Sequence, residues 1–312
     1  MVRAIVTGGC GFIGSYLVEA LLREGAEVKV IDNLFTGKES NLKNVWNSIE
    51  FVKGDIRDFD SLKKEFRNTD VIFHLAALRS VQQSLKKPLE FAEVNINGTI
   101  NVLQASRENN VERVIFSSSS SVYGDNKKLP LKESFAAKPK SPYAASKLAA
   151  ENYSRLFFEL YALPTICLRY FNVFGPRQDV RSAVIPRFVS AALTGERPVI
   201  FGNGEQARDF TFVFDTVQAT IAAMKAKKTA FGKTINIANG KSVSVNKVLE
   251  TVSKLAGKKL NPLFKEKGSG DVFKTQADVS MQKKILGFEC KYDFESGLRK
   301  TIEWYKKNGV EK

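Results

Sequence analysis

Short apolar runs alternate with stretches of helical periodicity through the first two thirds of the chain. The runs lie at 2–6, 28–31, 71–74, 111–116 and 165–169, with another near Phe51, and the first amphipathic stretch spans 12–23. Strands that are buried on both faces are apolar throughout, and parallel strands need a crossover element between them. The pattern therefore predicts an α/β fold with a doubly wound parallel sheet and right-handed crossovers.

The last third of the chain departs from this pattern. A helix is predicted over 185–195 and a short strand near Val199, while 210–213, a helix over 215–225 and a strand over 234–238 are predicted to return to the main domain. We therefore predict two interleaved domains, one of residues 1–172 with 210–240 and a smaller C-terminal α/β lobe of residues 173–209 and 241–312. A closing amphipathic helix over 294–305 is expected to pack Trp304 and Tyr305 on the lobe.

Composition excludes several classes of protein. The chain has 312 residues, 43% of them hydrophobic, which can fill a sizeable core, and no apolar run reaches the length of a membrane span. It enters its first strand without a leader segment, so we expect a cytoplasmic protein with no membrane partner. Cys10, Cys167 and Cys290 are isolated, and the one histidine, His74, lies in an apolar run. We therefore expect no metal site and no histidine-based catalytic triad.

The net charge of +15 is consistent with an anionic partner. The lysines are scattered along predicted helix faces, which is also typical of a solvated surface. No nucleic-acid motif occurs in the sequence, so we expect no nucleic-acid partner. A phosphorylated cofactor or a nucleotide-linked substrate then accounts best for the charge.

A glycine-rich turn follows the first apolar run. Gly8, Gly11 and Gly14 recur at every third residue between the predicted strand and helix. Such glycines permit the bend, let backbone N–H groups approach a pyrophosphate and let the helix pack closely on the strand. A tight strand-to-helix turn can also need glycine for steric reasons alone, so the triplet by itself is weak evidence.

Asp32 strengthens the prediction of a dinucleotide site. It ends the second apolar run, where a carboxylate accepts hydrogen bonds from the adenosine ribose. Its charge would repel the 2′-phosphate of NADP, and we therefore predict a Rossmann-type domain that binds NAD. Lys38 and Arg57 are close enough in sequence to leave NADP as an alternative.

The fifth predicted strand ends in serines, and a tyrosine and a lysine follow it. Residues 117–121 are all serine, and Tyr143 and Lys147 open a helix predicted to run to about residue 161. At i and i+4 the two side chains share one helix face, and an ammonium group lowers the pKa of a nearby phenol, which makes the phenol a general base. With a serine hydroxyl on the substrate oxygen, such a set can move a proton and a hydride together. The Tyr-x-x-x-Lys spacing also arises by chance on helix surfaces.

Several motifs together resemble the extended short-chain dehydrogenase/reductases over nearly the whole chain. They are TGGCGFIG at 7–14, DIRD at 55–58, HLAA at 74–77, NING at 95–98, SSSSSVYG at 117–124, YAASK at 143–147, LRYFNVFGPR at 168–177, VIFGNG at 199–204, RDFTFV at 208–213, GD at 270–271 and ADVS at 277–280. Within that family the chain looks most like the UDP-hexose 4-epimerases. The resemblance implies NAD as cofactor, a UDP-sugar as substrate, and epimerisation at C4 through a 4-keto intermediate.

The resemblance also implies roles for individual residues. Tyr143 becomes the base, Lys147 its electrostatic partner and ribose ligand, and Ser119 the hydrogen-bond donor to the sugar oxygen, which Ser120 or Ser121 can share. The family's NAD-binding positions are here, besides Tyr143 and Lys147, Gly8, Gly11, Phe12, Ile13, Gly14, Asp32, Asn33, Asp55, Ile56, Leu75, Ala76, Arg79, Asn95 and Tyr170. The substrate positions, besides the serines and Tyr143, are Asn172 and Arg208 at the diphosphate, Phe201 at the uracil, and Val184, Asp271 and Thr275. Outside this family frame, Asn172 reads as a strand-end cap and Arg208 as an ion-pair partner of Asp209.

Other activities of the family fit the serine segment less well. Dehydratases carry an acidic pair where this chain has Ser120 and Ser121, and UDP-glucuronate decarboxylases carry a glutamate at the position of Ser121. UDP-glucuronate 4-epimerases have a serine-rich segment and remain an alternative. A non-catalytic module that binds NAD or RNA is a further alternative from another class, but such a module would not need Ser119, Tyr143 and Lys147.

Resemblance also bears on the substrate and on assembly. Gly268 and Ala183 replace an arginine and an asparagine that are common in UDP-galactose enzymes, and Thr275 replaces a tyrosine that restricts the sugar's C2 substituent. We therefore expect N-acetylated UDP-hexoses to be accepted. A homodimer is expected through the helices predicted over 89–107 and 144–161, whose apolar residues include Phe91, Ile96, Ile100, Leu103, Leu148, Phe157, Phe158 and Leu160.

Overall fold

Seven parallel strands form the central sheet of the computed structural model, which describes residues 1–266 and 272–310. They are β1 Arg3–Thr7, β2 Glu27–Asp32, β3 Ile49–Lys53, β4 Val71–His74, β5 Arg113–Ser119, β6 Thr165–Tyr170 and β11 Lys233–Ile237. Their order across the sheet is β11-β6-β5-β4-β1-β2-β3, and every neighbouring pair is parallel. The predicted doubly wound parallel sheet is confirmed.

Helices cover both faces of this sheet. The helices of the described residues, both on this sheet and beyond it, are α1 Phe12–Arg23, α2 Phe59–Glu65, α3 Val81–Lys86, α4 Pro88–Ala92, α5 Gly98–Glu108, α6 Pro142–Tyr161, α7 Val184–Thr194, α8 Val213–Met224, α9 Val245–Ala256, α10 Ser280–Leu286 and α11 Phe294–Asn308. Ala4 and Val6 of β1 pack in one apolar core with α1 and α8, whereas Ile5 packs in a second core with α2, α5 and α6. Successive strand residues point to opposite faces, so these cores are the two sides of the sheet.

Three two-stranded sheets lie outside the main one in the described part of the chain. Their strands are β7 Val173–Phe174, β8 Val199–Phe201, β9 Ala207–Asp209, β10 Thr211–Phe212, β12 Ser242–Ser244 and β13 Leu263–Lys265. β10 pairs with β7 and β13 with β8 in parallel, and β12 pairs with β9 antiparallel. Helices α7, α9 and α11 pack against one another beside them. The division of the chain into two domains at the predicted boundaries stays a prediction.

Two elements differ in extent from the sequence predictions. β5 continues through Ser119 instead of ending at Phe116, because its neighbour β6 runs to Tyr170 and pairs with it to the end. The predicted helix over 89–107 is α4, a π-helical stretch Glu93–Asn97 and α5 in succession. Within 210–213, Thr211 and Phe212 pair with β7. None of the helices within 1–266 and 272–310 combines the length and apolarity that a bilayer crossing requires.

A buried carboxylate ties the end of β9 to two distant segments. Asp209 is fully buried; its Oδ1 accepts from the backbone N–H of Asn239 at 3.2 Å, and its Oδ2 accepts from Gly240 and from Ala277, both at 3.0 Å. A carboxylate accepts all these bonds without offering a donor of its own. Asp209 therefore holds the loop after β11 and the chain near residue 277 in place, next to the predicted substrate residue Arg208.

We predict that Asp209→Asn lowers the free energy of unfolding by about 2–4 kcal/mol, because the amide turns one acceptor into a donor that faces buried N–H groups. The matched control is Asp293→Asn at the N-cap of α11, where the side chain accepts only from Ser296 N at 2.8 Å. Asparagine caps helices as well as aspartate does, so the control should change stability by less than about 0.5 kcal/mol. Urea unfolding of both variants measures the difference, and equal losses would contradict the role of Asp209.

Candidate active site

A cavity of about 1590 Å³ opens at the carboxyl ends of the main-sheet strands. Typical pockets for a single small ligand have roughly 300–1,000 Å³, so this one has room for a dinucleotide and a second ligand. Most of the predicted site residues line it: Gly8, Gly11, Phe12, Ile13, Gly14, Asp32, Asn33, Asp55, Ile56, Leu75, Ala76, Arg79, Ser119, Ser120, Ser121, Tyr143, Lys147, Tyr170, Asn172, Phe201, Arg208 and Thr275. The ends of the main-sheet strands supply one wall of the cavity, as the doubly wound topology requires, and Phe201, Arg208 and Thr275 come from outside that sheet.

Two predicted residues of the described part of the chain, Asn95 and Val184, are not among those lining the cavity. Asn95 is buried behind it, where its Oδ1 accepts from Leu78 N at 2.8 Å and its Nδ2 donates to Leu78 O and to the Ser146 hydroxyl, both at 2.9 Å. Val184 is half-buried at the start of α7, beside the first apolar core. Asp271 lies outside the described residues, as does Gly268. Asn95 therefore acts on the cavity wall through the backbone of Leu78.

The glycine turn shapes the floor of the cavity where α1 begins. Gly8 has a φ of +73°, and a Cβ at Gly14 would lie 2.2 Å from the carbonyl oxygen of Gly8. Gly8 thus needs the left-handed conformation, and Gly14 needs the absence of a side chain for α1 to pack on the turn. The result is a helix N-terminus with free backbone N–H groups at the cavity, which suits a pyrophosphate.

Two aspartates order the ribose side of the turn. The carboxylate of Asp32 accepts from Cys10 N at 2.9 Å and from Leu34 N at 2.8 Å. Burial raises the pKa of Asp32, and these two bonds lower it. Asp55 accepts from both Nε and Nη2 of Arg57, at 2.9 and 2.8 Å, which holds the pKa of Asp55 far below its usual range. Arg57 is thus paired with Asp55, and a fixed negative charge at Asp32 faces the cavity, a combination that suits NAD.

Ser119, Tyr143 and Lys147 come together from β5 and α6. The Ser141 hydroxyl accepts from Ala144 N at 3.1 Å and Pro142 occupies the first turn, so α6 begins where the sequence predicts. Tyr143 and Lys147 follow one turn apart. The Ser121 hydroxyl donates to Ser119 Oγ at 2.9 Å, and the Ser119 hydroxyl in turn interacts with the Tyr143 phenol.

The two titratable side chains of this group have perturbed pKa values. Burial raises the pKa of Tyr143, while the Ser119 hydroxyl and the charge of Arg79 lower it. The prediction that Lys147 lowers the pKa of Tyr143 below its usual value is therefore wrong. Removal of the phenol from water raises this pKa by more than the neighbouring donors and charges lower it. Burial lowers the pKa of Lys147 to about 8, and the charge of Glu151 raises it.

The only histidine of the chain serves the scaffold. His74 Nδ1 is 2.8 Å from Thr7 Oγ1 and its Nε2 is 3.0 Å from Thr99 Oγ1, and burial lowers its pKa to about 3. It is therefore neutral. Ala76 N donates to the same Thr7 hydroxyl at 3.3 Å, so the histidine links β1, β4 and α5 directly beneath the cavity wall.

The opposite wall of the cavity comes from the later part of the chain. Asn172 Nδ2 donates to Asp209 O at 3.3 Å and lies 3.5 Å from Thr275 Oγ1, and the Thr275 side chain is 7% exposed. Arg208 Nη1 donates to Ala207 O at 3.0 Å and to Phe273 O at 3.3 Å, while Phe201 is 44% exposed at the rim. An amide, a guanidinium and an aromatic ring thus face the catalytic set across the cavity.

Sequence reasoning missed three contributors to the site. Phe35, 62% exposed, lines the cavity close to Asp32, and Glu151 and Arg169 form a buried ion pair beside Lys147. Glu151 stands at i+4 from Lys147, which is a signal that the sequence offered. Trp304 and Tyr305 also line the cavity, although Tyr305 is bonded to Gln178 O.

Comparison with known proteins places the chain in a family. The family model described as GDP-mannose 4,6-dehydratase matches residues 5–301. The chain belongs to this family. It is an extended short-chain dehydrogenase/reductase, as its motifs predicted, and its relatives are epimerases, dehydratases and decarboxylases of nucleotide sugars.

Three relatives illustrate the likeness. The UDP-glucose 4-epimerase of Mycolicibacterium smegmatis is 37% identical over 311 residues, 97% of this chain and 98% of that protein. The UDP-N-acetylglucosamine 4-epimerase from Methanobrevibacter ruminantium, solved in complex with UDP-N-acetylmuramic acid, is 42% identical with a TM-score of 0.94 and 98% coverage of each chain. The UDP-glucose 4-epimerase of Thermus thermophilus, solved in complex with NAD, is 33% identical with a TM-score of 0.91, covering 98% of this chain and 100% of that one. NAD is the cofactor, as the sequence predicted.

We expect the protein to lose NAD as the pH rises through about 8. Burial sets the pKa of Lys147 at about 8, so its ammonium is charged below that pH and neutral above it. A neutral amine donates more weakly to a ribose hydroxyl and no longer attracts the phenolate. Retention of NAD through gel filtration at pH 7 and pH 9.5, with circular dichroism as the check on folding, measures this. Lys147→Arg stays charged over the range and should show no such loss; equal retention by the wild type at both pH values would contradict the expectation.

Proposed function

We propose that the protein epimerises a UDP-hexose at C4, through a 4-keto intermediate, with NAD accepting and returning the hydride. The observation that carries the proposal is the cavity that Ser119, Tyr143 and Lys147 share with the glycine turn and Asp32, with hydroxyls at Ser120 and Ser121. Elimination or decarboxylation in this family places an acid at these serine positions. Ser120 and Ser121 offer hydroxyls and no carboxyl group at these positions, so the set of Ser119, Tyr143 and Lys147 suits proton and hydride transfer at C4 better than elimination.

In this mechanism the side chains act on the C4 oxygen of the sugar. Tyr143 takes the proton from the 4-hydroxyl as hydride leaves C4, and Ser119 donates to the oxygen as it becomes a carbonyl. Lys147 supplies the positive charge that favours the phenolate. NAD held by the glycine turn, Asp32 and Lys147 would supply the hydride acceptor and donor. The 4-keto sugar would present its other face to it, and Tyr143 would return the proton to the C4 oxygen. Asn172 and Arg208 hold the diphosphate meanwhile, since a guanidinium is well suited to phosphate oxygens.

We predict that Tyr143→Phe lowers turnover by roughly 10²–10⁴-fold while NAD stays bound, because the change removes the proton acceptor and little binding surface. Tyr153→Phe on the same helix, 38% exposed, is the matched control and should keep full activity. The assay is a panel of UDP-glucose, UDP-galactose, their N-acetylated forms and UDP-glucuronate, after identification of the nucleotide released by denaturation. Turnover of Tyr143→Phe within a few-fold of wild type would contradict the role, and activity confined to UDP-glucuronate would favour the alternative epimerase.

We further propose that N-acetylated UDP-hexoses are accepted. Thr275 is a small side chain at the cavity wall, bonded to the Asn172 amide, and the 42% identical relative is named a UDP-N-acetylglucosamine 4-epimerase. Thr275→Tyr should reduce kcat/KM for UDP-N-acetylgalactosamine relative to UDP-galactose by roughly 10–200-fold, because the ring occupies the space of the acetamide. Thr275→Ser keeps the hydroxyl and should keep both activities. An unchanged ratio in Thr275→Tyr would place the selectivity elsewhere.

We also propose that the protein is a homodimer through α3, α4 and α6. Phe91, Leu103 and Phe157, which the sequence offered as interface residues, are buried within the chain. The exposed apolar side chains on these helices are instead Val81, Leu85, Leu89, Tyr153, Leu156, Leu160 and Tyr161, with Leu89 79% and Leu160 67% exposed. Such a patch on neighbouring helices favours a protein partner over solvent.

We predict that light scattering at micromolar concentration gives twice the chain mass of 34.7 kDa for the wild type. The double variant Leu89→Lys/Leu160→Lys should give the single mass, because it places two charges in a desolvated interface. Phe264→Lys, at a 60% exposed position on β13, is the control and should stay dimeric. A single mass for the wild type would contradict the dimer.

A further inference from the structure

A buried ion pair lies directly behind Lys147. Both carboxylate oxygens of Glu151 on α6 face Arg169 of β6, with Nε 2.9 Å from Oε1 and Nη2 2.7 Å from Oε2. The Ser118 hydroxyl of β5 donates to Oε1 as well. The Arg169 and Glu151 side chains are only 7% and 4% exposed. Glu151 is thus clamped to two strands of the sheet by three donors.

One face of α6 carries Tyr143, Lys147 and Glu151 at successive turns. The Lys147 ammonium therefore has a possible partner four residues away on each side, the phenol towards the cavity and the carboxylate away from it. In the described part of the chain it forms no ion pair with Glu151, and Nζ lies 4.6 Å from the centre of the Phe116 ring. The clamp keeps the carboxylate near enough to act through its charge and prevents direct contact.

We propose that Glu151 and Arg169 are positioning residues for Lys147. The clamped carboxylate keeps the buried ammonium charged, and Arg169 prevents Glu151 from drawing that ammonium away from the cavity. This inference rests on the proposed function in one respect, namely that the charge of Lys147 favours the Tyr143 phenolate. It assigns the two residues a role that depends on their charge and not only on their packing.

The surrounding groups leave this role to Glu151. The other titratable or charged side chains near Lys147, Tyr143 and the ion pair are His74, Arg79, Tyr123, Glu133 and Cys167. Burial lowers the pKa of His74 to about 3 and raises those of Tyr123 and Cys167 to about 12, so all three are neutral at pH 7. Arg79 is cationic. Glu133 Oε1 accepts from Asn236 N at 2.9 Å, and its charge acts on Tyr123 and Arg169, whereas Glu151 acts on Lys147. Of these groups, Glu151 is thus the anion that acts on Lys147.

The test is the pKa of Lys147, followed by the 13Cε resonance in protein labelled with 13C-lysine and assigned by its loss in Lys147→Arg. Glu151→Gln should lower that pKa by roughly one unit, since it removes the anion and leaves Arg169 uncompensated. Arg169→Gln should raise it by a similar amount, because the released carboxylate can then pair with Lys147 directly. The double variant should lie between the two single variants. Opposite shifts from the two halves of one ion pair support the proposal, and a shift of the same sign, or none, overturns it.

A control variant and a fallback variant guard against loss of folding. Glu19→Gln breaks the Arg177–Glu19 pair, 2.6 Å apart on the other face of the sheet, and should leave the Lys147 pKa unchanged. If Arg169→Gln does not fold, the double variant Glu151→Gln/Arg169→Gln leaves neither charge buried alone. Its Lys147 pKa should then lie below that of the wild type, and an unchanged value would overturn the proposal.

This measurement is separable from the proposed function because it uses no sugar. One outcome is that the two variants show opposite pKa shifts and yet the protein turns over no UDP-hexose. That result would overturn the epimerase assignment and would still support the proposal that the Glu151 carboxylate keeps Lys147 charged. An unchanged Lys147 pKa in folded Glu151→Gln, in a protein that is an active epimerase, would overturn this inference alone. If the enzyme is active, the alkaline limb of its pH–rate profile should shift to lower pH in Glu151→Gln, by the same amount as the pKa of Lys147.

Discussion

The close contact between Gly14 and the carbonyl of Gly8 determines where α1 meets β1, and the rest of the site depends on that position. A Cβ at Gly14 would lie 2.2 Å from this oxygen, so only glycine lets the helix begin so near the strand. The helix N-terminus then faces the same sheet edge as the ends of β2, β4 and β5. Asp32, Ala76 and Ser119 follow from the parallel topology, because every main-sheet strand ends at this edge.

Charge is arranged to suit an anionic dinucleotide without a 2′-phosphate. The helix N-terminus and the chain's net charge of +15 favour phosphate groups, whereas the carboxylate of Asp32 at the cavity wall disfavours a 2′-phosphate. Arg57, which could have reversed that preference, is paired with Asp55. Near Ser119 and Tyr143, burial lowers the pKa of Lys147, and the charge of the Glu151 carboxylate raises it.

Local patterns predicted the sheet, α1 and α6, because strand ends and helix starts follow from periodicity and caps. Most of the predicted residues that line the cavity followed instead from the family resemblance. Other features required three-dimensional information. The extension of β5 through Ser119 depends on pairing with β6, and the displacement of Asn95 behind Leu78 depends on how the π-helical stretch packs. The raised pKa of Tyr143 depends on how deeply the phenol is buried, and the spacing of residues in the sequence does not reveal that depth. Arg169 lies in an apolar run and reads from sequence as an ordinary strand residue, so its pairing with Glu151 was not predictable.

The most direct test of the proposed reaction is the fate of the hydrogen at C4. A UDP-hexose carrying deuterium at C4 is incubated with the protein in ordinary water, and both epimers are analysed by NMR and mass spectrometry. If Tyr143 moves only the hydroxyl proton and the hydride leaves and returns within the closed site, the product retains deuterium at C4 with inverted configuration and no net reduced cofactor is released. Replacement of the label by solvent hydrogen, or a product that has lost water or carbon dioxide, would contradict the account.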